Sequence, residues 1–275
     1  MKVGESLAAS NLPAAEARAL LAHATGWPRT TLIAESERDL PESAAREFAA
    51  AAARRRSGEP IAYLLGEREF YGVAFAVDSS VLIPRPETEL LVDLALERIA
   101  VGVAARVLDL GTGSGAVALA IKHSRPYAQV CALDGSAAAL EVARANAARH
   151  RLVVDFIEGH WFEPMVGRRF ELIVGNPPYV AQGDRHLAEG DLRFEPREAL
   201  VSGVDGLDAI REIATNAPAH LEPGGWLMLE HGMGQDAAVR ALFARAGLDS
   251  PRSWPDLSGI PRVTAAQLTP QAANR

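Results

Sequence analysis

The sequence predicts an α/β fold in which an open, largely parallel sheet carries helices on both faces. A small helical domain and a linking β-hairpin precede it. Three observations lead there. From residue 106 onward, short apolar runs alternate with stretches of helical period. Glycine-rich and proline-rich turns follow two of those runs directly, as in sheets whose ligands sit beyond the strand ends. Residues 1–66, in contrast, are rich in Ala, Leu, Glu and Arg and lack strand-like alternation. The expected division is therefore a helical recognition domain over 1–66, a hairpin over 67–84 and the larger domain over 85–275.

In chain order, Leu12 to Glu16 opens a helix running to Ala22 or His23, with Asn11 as its cap and Pro13 in the first turn; Gly26 and Pro28 end it. A second helix starts after Asp39-Leu40-Pro41 and runs to Arg56, where Ser57-Gly58-Glu59-Pro60 breaks it. Phe70 to Val77 places aromatics and partial alternation around Gly72, which predicts a hairpin. Leu82 to Thr88, with Pro84 and Pro86, leads into a helix over 89–99. Strands are then expected at 106–110, 129–133, 153–157, 170–174 and 226–230, with helices at 116–123, 137–150, 207–220 and 236–246. Weaker signals at 250–255 and 261–268 suggest a closing hairpin.

Bulk properties narrow the function classes. A hydrophobic content of 48% against 23% charged residues is that of an ordinary soluble protein. No stretch approaches roughly 18 continuous apolar residues, which argues against a membrane span, and the first residues do not read as a secretion signal. A cytoplasmic location and a monomer are expected. The net charge of −7 disfavours a stable nucleic-acid partner. Arg54-Arg55-Arg56 is the densest basic run and reads as a solvated helix end or as part of a partner surface. Cys131 is the only cysteine, so no internal disulfide is available, and its apolar neighbours predict a buried strand position. His23, His123, His150, His186, His220 and His231 show no ligand spacing, so no metal site is expected.

Two turns carry the chemistry. Asp109-Leu110-Gly111-Thr112-Gly113-Ser114-Gly115 follows the first strand of the larger domain, its glycines allowing a tight turn and close backbone approach. With Ala116 the run also fits the dinucleotide fingerprint, and Asp134 ends the next strand where a carboxylate binds ribose hydroxyls. NAD and S-adenosylmethionine both satisfy that pattern. Asp109 discriminates between them: a carboxylate before the first glycine sits poorly beside a pyrophosphate but pairs with a cationic amino group. No Walker-type Lys-Ser/Thr follows, which argues against a nucleotide triphosphatase.

The second turn, Asn176-Pro177-Pro178-Tyr179, follows the apolar run Leu172-Ile173-Val174. The Asn176 side-chain oxygen and the Pro177 carbonyl offer two acceptors for the two N–H bonds of a planar NH2 group, and Tyr179 offers a flat face to stack on it. Prolines restrict the loop, so little orientation is lost on binding. An amide or aromatic amine nitrogen is a weak nucleophile, and paired acceptors help it as positive charge develops during in-line displacement. The two turns together point to methyl transfer from S-adenosyl-L-methionine, leaving S-adenosyl-L-homocysteine. Asn176, Pro177 and Tyr179 are the expected catalytic residues.

Nearly the whole chain resembles the bacterial peptide-chain release factor N5-glutamine methyltransferases, of the class I, Rossmann-like, S-adenosylmethionine-dependent fold. The resemblance rests on Gly58-Glu59-Pro60-Ile61-Ala62-Tyr63-Leu64-Leu65-Gly66, Leu82-Ile83-Pro84-Arg85-Pro86-Glu87-Thr88-Glu89, the two turns above, Arg193-Phe194-Glu195-Pro196 and Leu229-Glu230-His231-Gly232. It implies methylation of the glutamine of the Gly-Gly-Gln motif in class-1 release factors. It also implies a cofactor site of Asp109, Gly111, Thr112, Gly113, Gly115, Asp134, His160, Trp161 and Asn176. The substrate site it implies comprises Asn176, Pro177, Pro178 and Tyr179, with Arg85, Glu87, Phe194 and Glu195 beside them. One departure stands out. The family usually has an acidic residue before the aromatic pair Trp161-Phe162, where it accepts from the adenine amino group; this chain has His160. The rival readings are a glutamine methyltransferase acting on a ribosomal protein, an adenine N6 DNA methyltransferase working on a flipped base, and a module that binds the cofactor without turnover.

Overall fold

The computed structural model describes residues 1–269; the end of the larger domain as read from sequence, residues 270–275, lies outside them. The described residues form two compact units, one of residues 1–68 with 185–194, the other of residues 69–184 with 195–269. The sequence reading had assigned 185–194 to the larger domain. Within the first unit this segment is tied by charge and backbone contacts: Arg55 pairs with Asp191 at 2.9 Å, and Arg193 donates to the Ser57 carbonyl at 2.5 Å. Arg55 also pairs with Glu16 at 2.7 Å, and Arg54 pairs with Glu59. The basic run is thus spent on contacts within its own unit.

The first unit contains five helices: α1 (Val3–Ala9), α2 (Ala14–Thr25), α3 (Arg29–Ala34), α4 (Glu42–Arg56) and α5 (Ile61–Leu65). Three of them, α1, α3 and α5, were not read from sequence. Pro28 and Pro60, read as breakers, also begin helices, and so do Pro13 and Pro41. Each proline holds the extended backbone of a helix cap while its carbonyl accepts a bond from the first turn, as in Ala17 N to Pro13 O at 3.0 Å. Asn11 is not a cap; it stands in a left-handed turn with φ 52°. Val3, Leu20, Leu21, Leu32 and Phe48 form this unit's core.

The hairpin pairs β1 (Glu67–Phe70) with β2 (Val73–Ala76). Its two-residue loop, Tyr71-Gly72, has positive φ at both positions, which suits the twist of the flanking strands. The second unit continues with α6 (Glu89–Arg98), β3 (Arg106–Leu110), α7 (Ala116–Ser124), β4 (Gln129–Asp134), α8 (Ala137–His150), β5 (Asp155–Glu158) and β6 (Phe170–Gly175). It closes with α9 (Asp208–His220), β7 (Leu221–Glu230), α10 (Asp236–Arg245), β8 (Leu248–Pro255) and β9 (Pro261–Leu268).

The seven-stranded sheet has the order β5-β4-β3-β6-β7-β9-β8, parallel except at β9, which runs antiparallel to both its neighbours. This is the Rossmann-like sheet, with helices on both faces, that the sequence predicts. β7 begins five residues before the predicted 226, because Leu221 pairs with Phe170 and a register shift carries the Pro223-Gly224-Gly225 stretch before Trp226 rejoins Leu172. Alternation along each strand builds two cores. Val107, Val130, Leu172, Val174 and Met228 pack on the face of α6 and α7; Leu108, Leu110, Cys131, Ile173, Leu227 and Leu229 pack on the face of α9 and α10. Among the described residues no helix is long and apolar enough to cross a membrane.

Candidate active site

After β3 the chain turns to β4 on one side and later to β6 on the other, so the strand order reverses at β3. Such a reversal opens a crevice beyond the carboxyl ends of the strands. Leu110 and Gly175 are paired there, so the glycine loop and the Asn176 turn leave the sheet side by side. Only glycine fits at 175, since a Cβ would stand 2.9 Å from the Leu110 carbonyl. A cavity of about 730 Å³ lies against both turns.

The glycine loop satisfies itself. Alternation turns Asp109 toward α7, where its Oδ2 accepts from Thr112 Oγ1 at 2.7 Å and from Ala118 N at 3.2 Å. Burial nevertheless outweighs these bonds and pushes the Asp109 carboxyl up to about 7. Thr112 N bonds to Leu133 O at 2.9 Å, and Asp134 accepts from Gly113 N at 2.8 Å and Ser136 N at 2.9 Å. Gly115 (φ 83°) caps α7 so close to α8 that a Cβ would meet Ala143 Cβ at 3.2 Å.

The Asn176 turn leaves acceptors open. Asn176 Nδ2 donates to Thr88 Oγ1 at 3.2 Å, while its Oδ1 is buried with no hydrogen-bond partner among the described residues. Tyr179 Oη donates to Glu230 Oε1 at 3.2 Å, and Thr88 lies beside the same carboxylate. Glu230 is 1% exposed, and its Oε2 also has no hydrogen-bond partner among the described residues. Burial pushes Glu230 up to about 7 despite the Thr88 and Tyr179 hydroxyls, and it raises the Tyr179 phenol as well.

Most of the sequence-predicted residues meet on this wall: Asp109, Gly111, Thr112, Gly113, Asp134, His160, Trp161, Asn176, Pro178 and Arg85 all line the cavity. Trp161 lies against Gly111, 3.5 Å from where a Cβ would be. Pro177, Tyr179, Gly115, Glu87, Phe194 and Glu195 do not line it. Glu195 is instead buried beneath Arg85: it pairs with that guanidinium and accepts from Ile83 N at 3.1 Å. Phe194 belongs to the first unit, where the Arg193 guanidinium lies 4.9 Å from its ring. His160 stands exposed at the rim with its Nε2 3.1 Å from Glu212 Oε1. A carboxylate therefore does reach this part of the wall, from α9.

Thr88, Glu212 and Glu230 were missed as site residues. Glu230 did leave a trace, a lone acid closing the apolar run Leu227-Met228-Leu229. Glu212 left none, because only the packing of α9 brings it near residue 160. The wall carries Asp109, Asp134, Glu198, Asp208 and Glu212 against the already paired Arg85, a lining that suits a cationic ligand. Among the described residues no group of His, Cys, Asp or Glu is arranged to hold a metal ion.

Comparison with known proteins agrees with this geometry. Residues 2–66 match the family described as PrmC N-terminal domain, and residues 87–202 match the Methyltransferase small domain. A release factor glutamine methyltransferase of Xylella fastidiosa is 52% identical over 92% of this chain and 92% of its own length. One of Burkholderia pseudomallei is 51% identical over 96% of this chain and 95% of its own. Among solved structures, a methyltransferase from Pyrococcus furiosus superimposes with a TM-score of 0.56 at 18% identity, covering 81% of this chain and all of the other; it shows the shared fold.

Proposed function

The chain belongs to the release factor glutamine methyltransferases, and we propose that Asn176 and its neighbours hold the substrate amide for that reaction. The enzyme transfers a methyl group from S-adenosylmethionine to the side-chain amide nitrogen of the Gly-Gly-Gln glutamine in class-1 release factors. It acts in the cytoplasm as a monomer, on a protein partner rather than a nucleic acid. The observation that carries this assignment is the buried, unpartnered Asn176 Oδ1 beside a cavity of about 730 Å³. A buried acceptor left without a donor costs roughly 1–3 kcal/mol, and an amide NH2 recovers that cost.

The residues present fit the cofactor. Asp134 lines the cavity and would accept from ribose hydroxyls, the glycine loop lets the backbone approach closely, and the acidic lining suits a sulfonium with an ammonium group. When bound, S-adenosylmethionine supplies an electrophilic methyl group. Asn176 Oδ1 and the Pro177 carbonyl would each accept one N–H of the target and so orient its nitrogen. Transfer would form the N–C bond as the S–C bond breaks, with S-adenosylhomocysteine leaving; the two acceptors would stabilise the positive charge on the nitrogen until one proton leaves to solvent. Tyr179, Pro178 and Arg85 shape the approach of the substrate loop, with Glu195 holding Arg85.

The test uses labelled S-adenosylmethionine with a full-length class-1 release factor, its Gly-Gly-Asn version and duplex DNA. One methyl mapped to the glutamine, with both controls unlabelled, is expected. Label on DNA, or none on the factor despite cofactor binding, would reject this substrate.

A further inference from the structure

We propose that Gln235 is a positioning residue for methyl transfer: it clamps the backbone of Tyr179 and so fixes where the acceptors of the Asn176 turn point. The inference rests on the reading of Asn176 and Pro177 as the acceptors for the target amide. Asn176-Pro177-Pro178-Tyr179 cannot hold itself. Its two prolines lack an N–H, and the ring of each fixes φ while ψ stays free to turn. The Pro177 carbonyl lies in the planar peptide between the two prolines, so rotation about ψ of Pro177 swings it as a unit. The upstream end of the turn is fixed by β6, where Gly175 pairs with Leu110 and Leu229. Where the Pro177 carbonyl points is then decided by whatever fixes the downstream end, Tyr179.

Gln235 meets that end. Its Nε2 donates to the Tyr179 carbonyl at 3.0 Å, and its Oε1 accepts from Gly232 N at 2.8 Å. Both neighbours are backbone groups of fixed polarity, an acceptor at Tyr179 and a donor at Gly232, so the side chain between them must donate and accept at once, as an amide does and a carboxylate does not. The base of this arm is itself held: Gln235 N donates to the Gly232 carbonyl at 3.2 Å, and the Gln235 carbonyl accepts from Val239 N at 2.9 Å in the first turn of α10. The fit is close. A Cβ on Gly232 would stand 3.0 Å from Gln235 Oε1 and 3.3 Å from Tyr179 Cδ2, and one on Gly206 would collide with the Tyr179 carbonyl. Just past the clamp Val180 pairs with Val201, with Val180 N donating to the Leu200 carbonyl at 2.8 Å and Ser202 N to the Val180 carbonyl at 2.9 Å. Val201, Ser202 and Gly203 line the cavity, whereas Gln235 does not. Gln235 therefore acts on the reaction only through the turn and this strap. Glu230 holds the Tyr179 hydroxyl at 3.2 Å and leaves the backbone carbonyl to Gln235.

Two variants of similar size test the clamp. Gln235→Glu keeps the acceptor for Gly232 N and removes the donor for the Tyr179 carbonyl; Gln235→Met removes both. Turnover on a saturating release factor should fall about tenfold or more in each, while cofactor affinity by calorimetry stays within about twofold. The control for stability alone is Gln267→Met, which removes a comparable bond on β9, from Nε2 to the Gly224 carbonyl at 2.7 Å. It should keep wild-type turnover even at an equal loss of melting temperature. If Gln235→Glu turns over like the wild type, or Gln267→Met slows as much as the Gln235 variants, the clamp is wrong. Asn176→Ala separates the premise. Turnover lost there but kept in both Gln235 variants sinks the clamp and leaves the target site standing; turnover kept in Asn176→Ala sinks both. Parallel loss of cofactor affinity in the Gln235 variants would make the residue merely structural and overturn the proposal.

Discussion

Two strand ends of one sheet each bury a carboxylate, Asp109 at the end of β3 and Glu230 at the end of β7, and both are pushed up to about 7 by burial. Their surroundings differ. Asp109 takes bonds from Thr112 and Ala118 that close its own glycine loop, so its polar atoms serve the shape of the fold. Around Glu230 the bonding is incomplete: Asn176 Oδ1 and Glu230 Oε2 are buried without partners. A fold tolerates such orphans where a ligand completes them. The first strand end is closed on itself, whereas the second leaves a buried acceptor open, the one that the proposed function gives to the substrate.

The largest effect should come from breaking the open end. Asn176→Ala removes one of the two target acceptors and should lower turnover on the order of 100-fold, with calorimetric cofactor affinity little changed. Loss of both in proportion would put Asn176 with the cofactor instead. At the closed end, Asp109→Ala strands two buried donors, Thr112 Oγ1 and Ala118 N, and should cost about 1–3 kcal/mol in denaturant unfolding as well as cofactor affinity. An unchanged unfolding midpoint would show that the loop does not need its carboxylate.

A pH comparison sharpens the contrast. Because the Glu230 pKa is raised, the folded chain holds that proton more tightly than the unfolded chain. The stability this contributes is fully present below about pH 4.3, the ordinary value, and is lost as pH rises through about 7. Glu230→Gln keeps the volume without the charge. It should therefore raise the melting temperature at pH 8, by the equivalent of about 1–2 kcal/mol, and change little at pH 5. Equal melting curves at pH 8 would mean that water already relieves the buried charge.

The smallest effect concerns the rim. His160→Asp alone sets a second carboxylate beside Glu212, so it should tighten cofactor binding less than His160→Asp combined with Glu212→Gln. The difference should be within about tenfold, because both positions are half exposed. Additive effects of the two changes would separate the residues.

Much of the fold was legible in sequence. The β-α rhythm from residue 106 and the two turns follow from alternation and from backbone-restricting residues, which act locally. The short helices α1, α3 and α5 were not, since helices of seven, six and five residues have little propensity of their own and form because neighbours cover them. The grouping of residues 185–194 with the first unit depends on Arg55 to Asp191, a pairing across 136 positions.

By itself the sequence determined which chemistry the chain carries. Asp109 to Gly115 and Asn176 to Tyr179 are contiguous runs whose residue types point to a cofactor loop and a turn able to hold a planar NH2 group. Tertiary structure alone decided how those runs are supported: that Asp109 serves its own loop, that Glu212 reaches His160, and that Thr88 and Glu230 meet Asn176 and Tyr179. The contacts of His160, Asn176 and Tyr179 join residues 51 to 88 positions apart. Which polar atoms are satisfied and which are left for a ligand depends on where sheet alternation and helix packing turn each side chain.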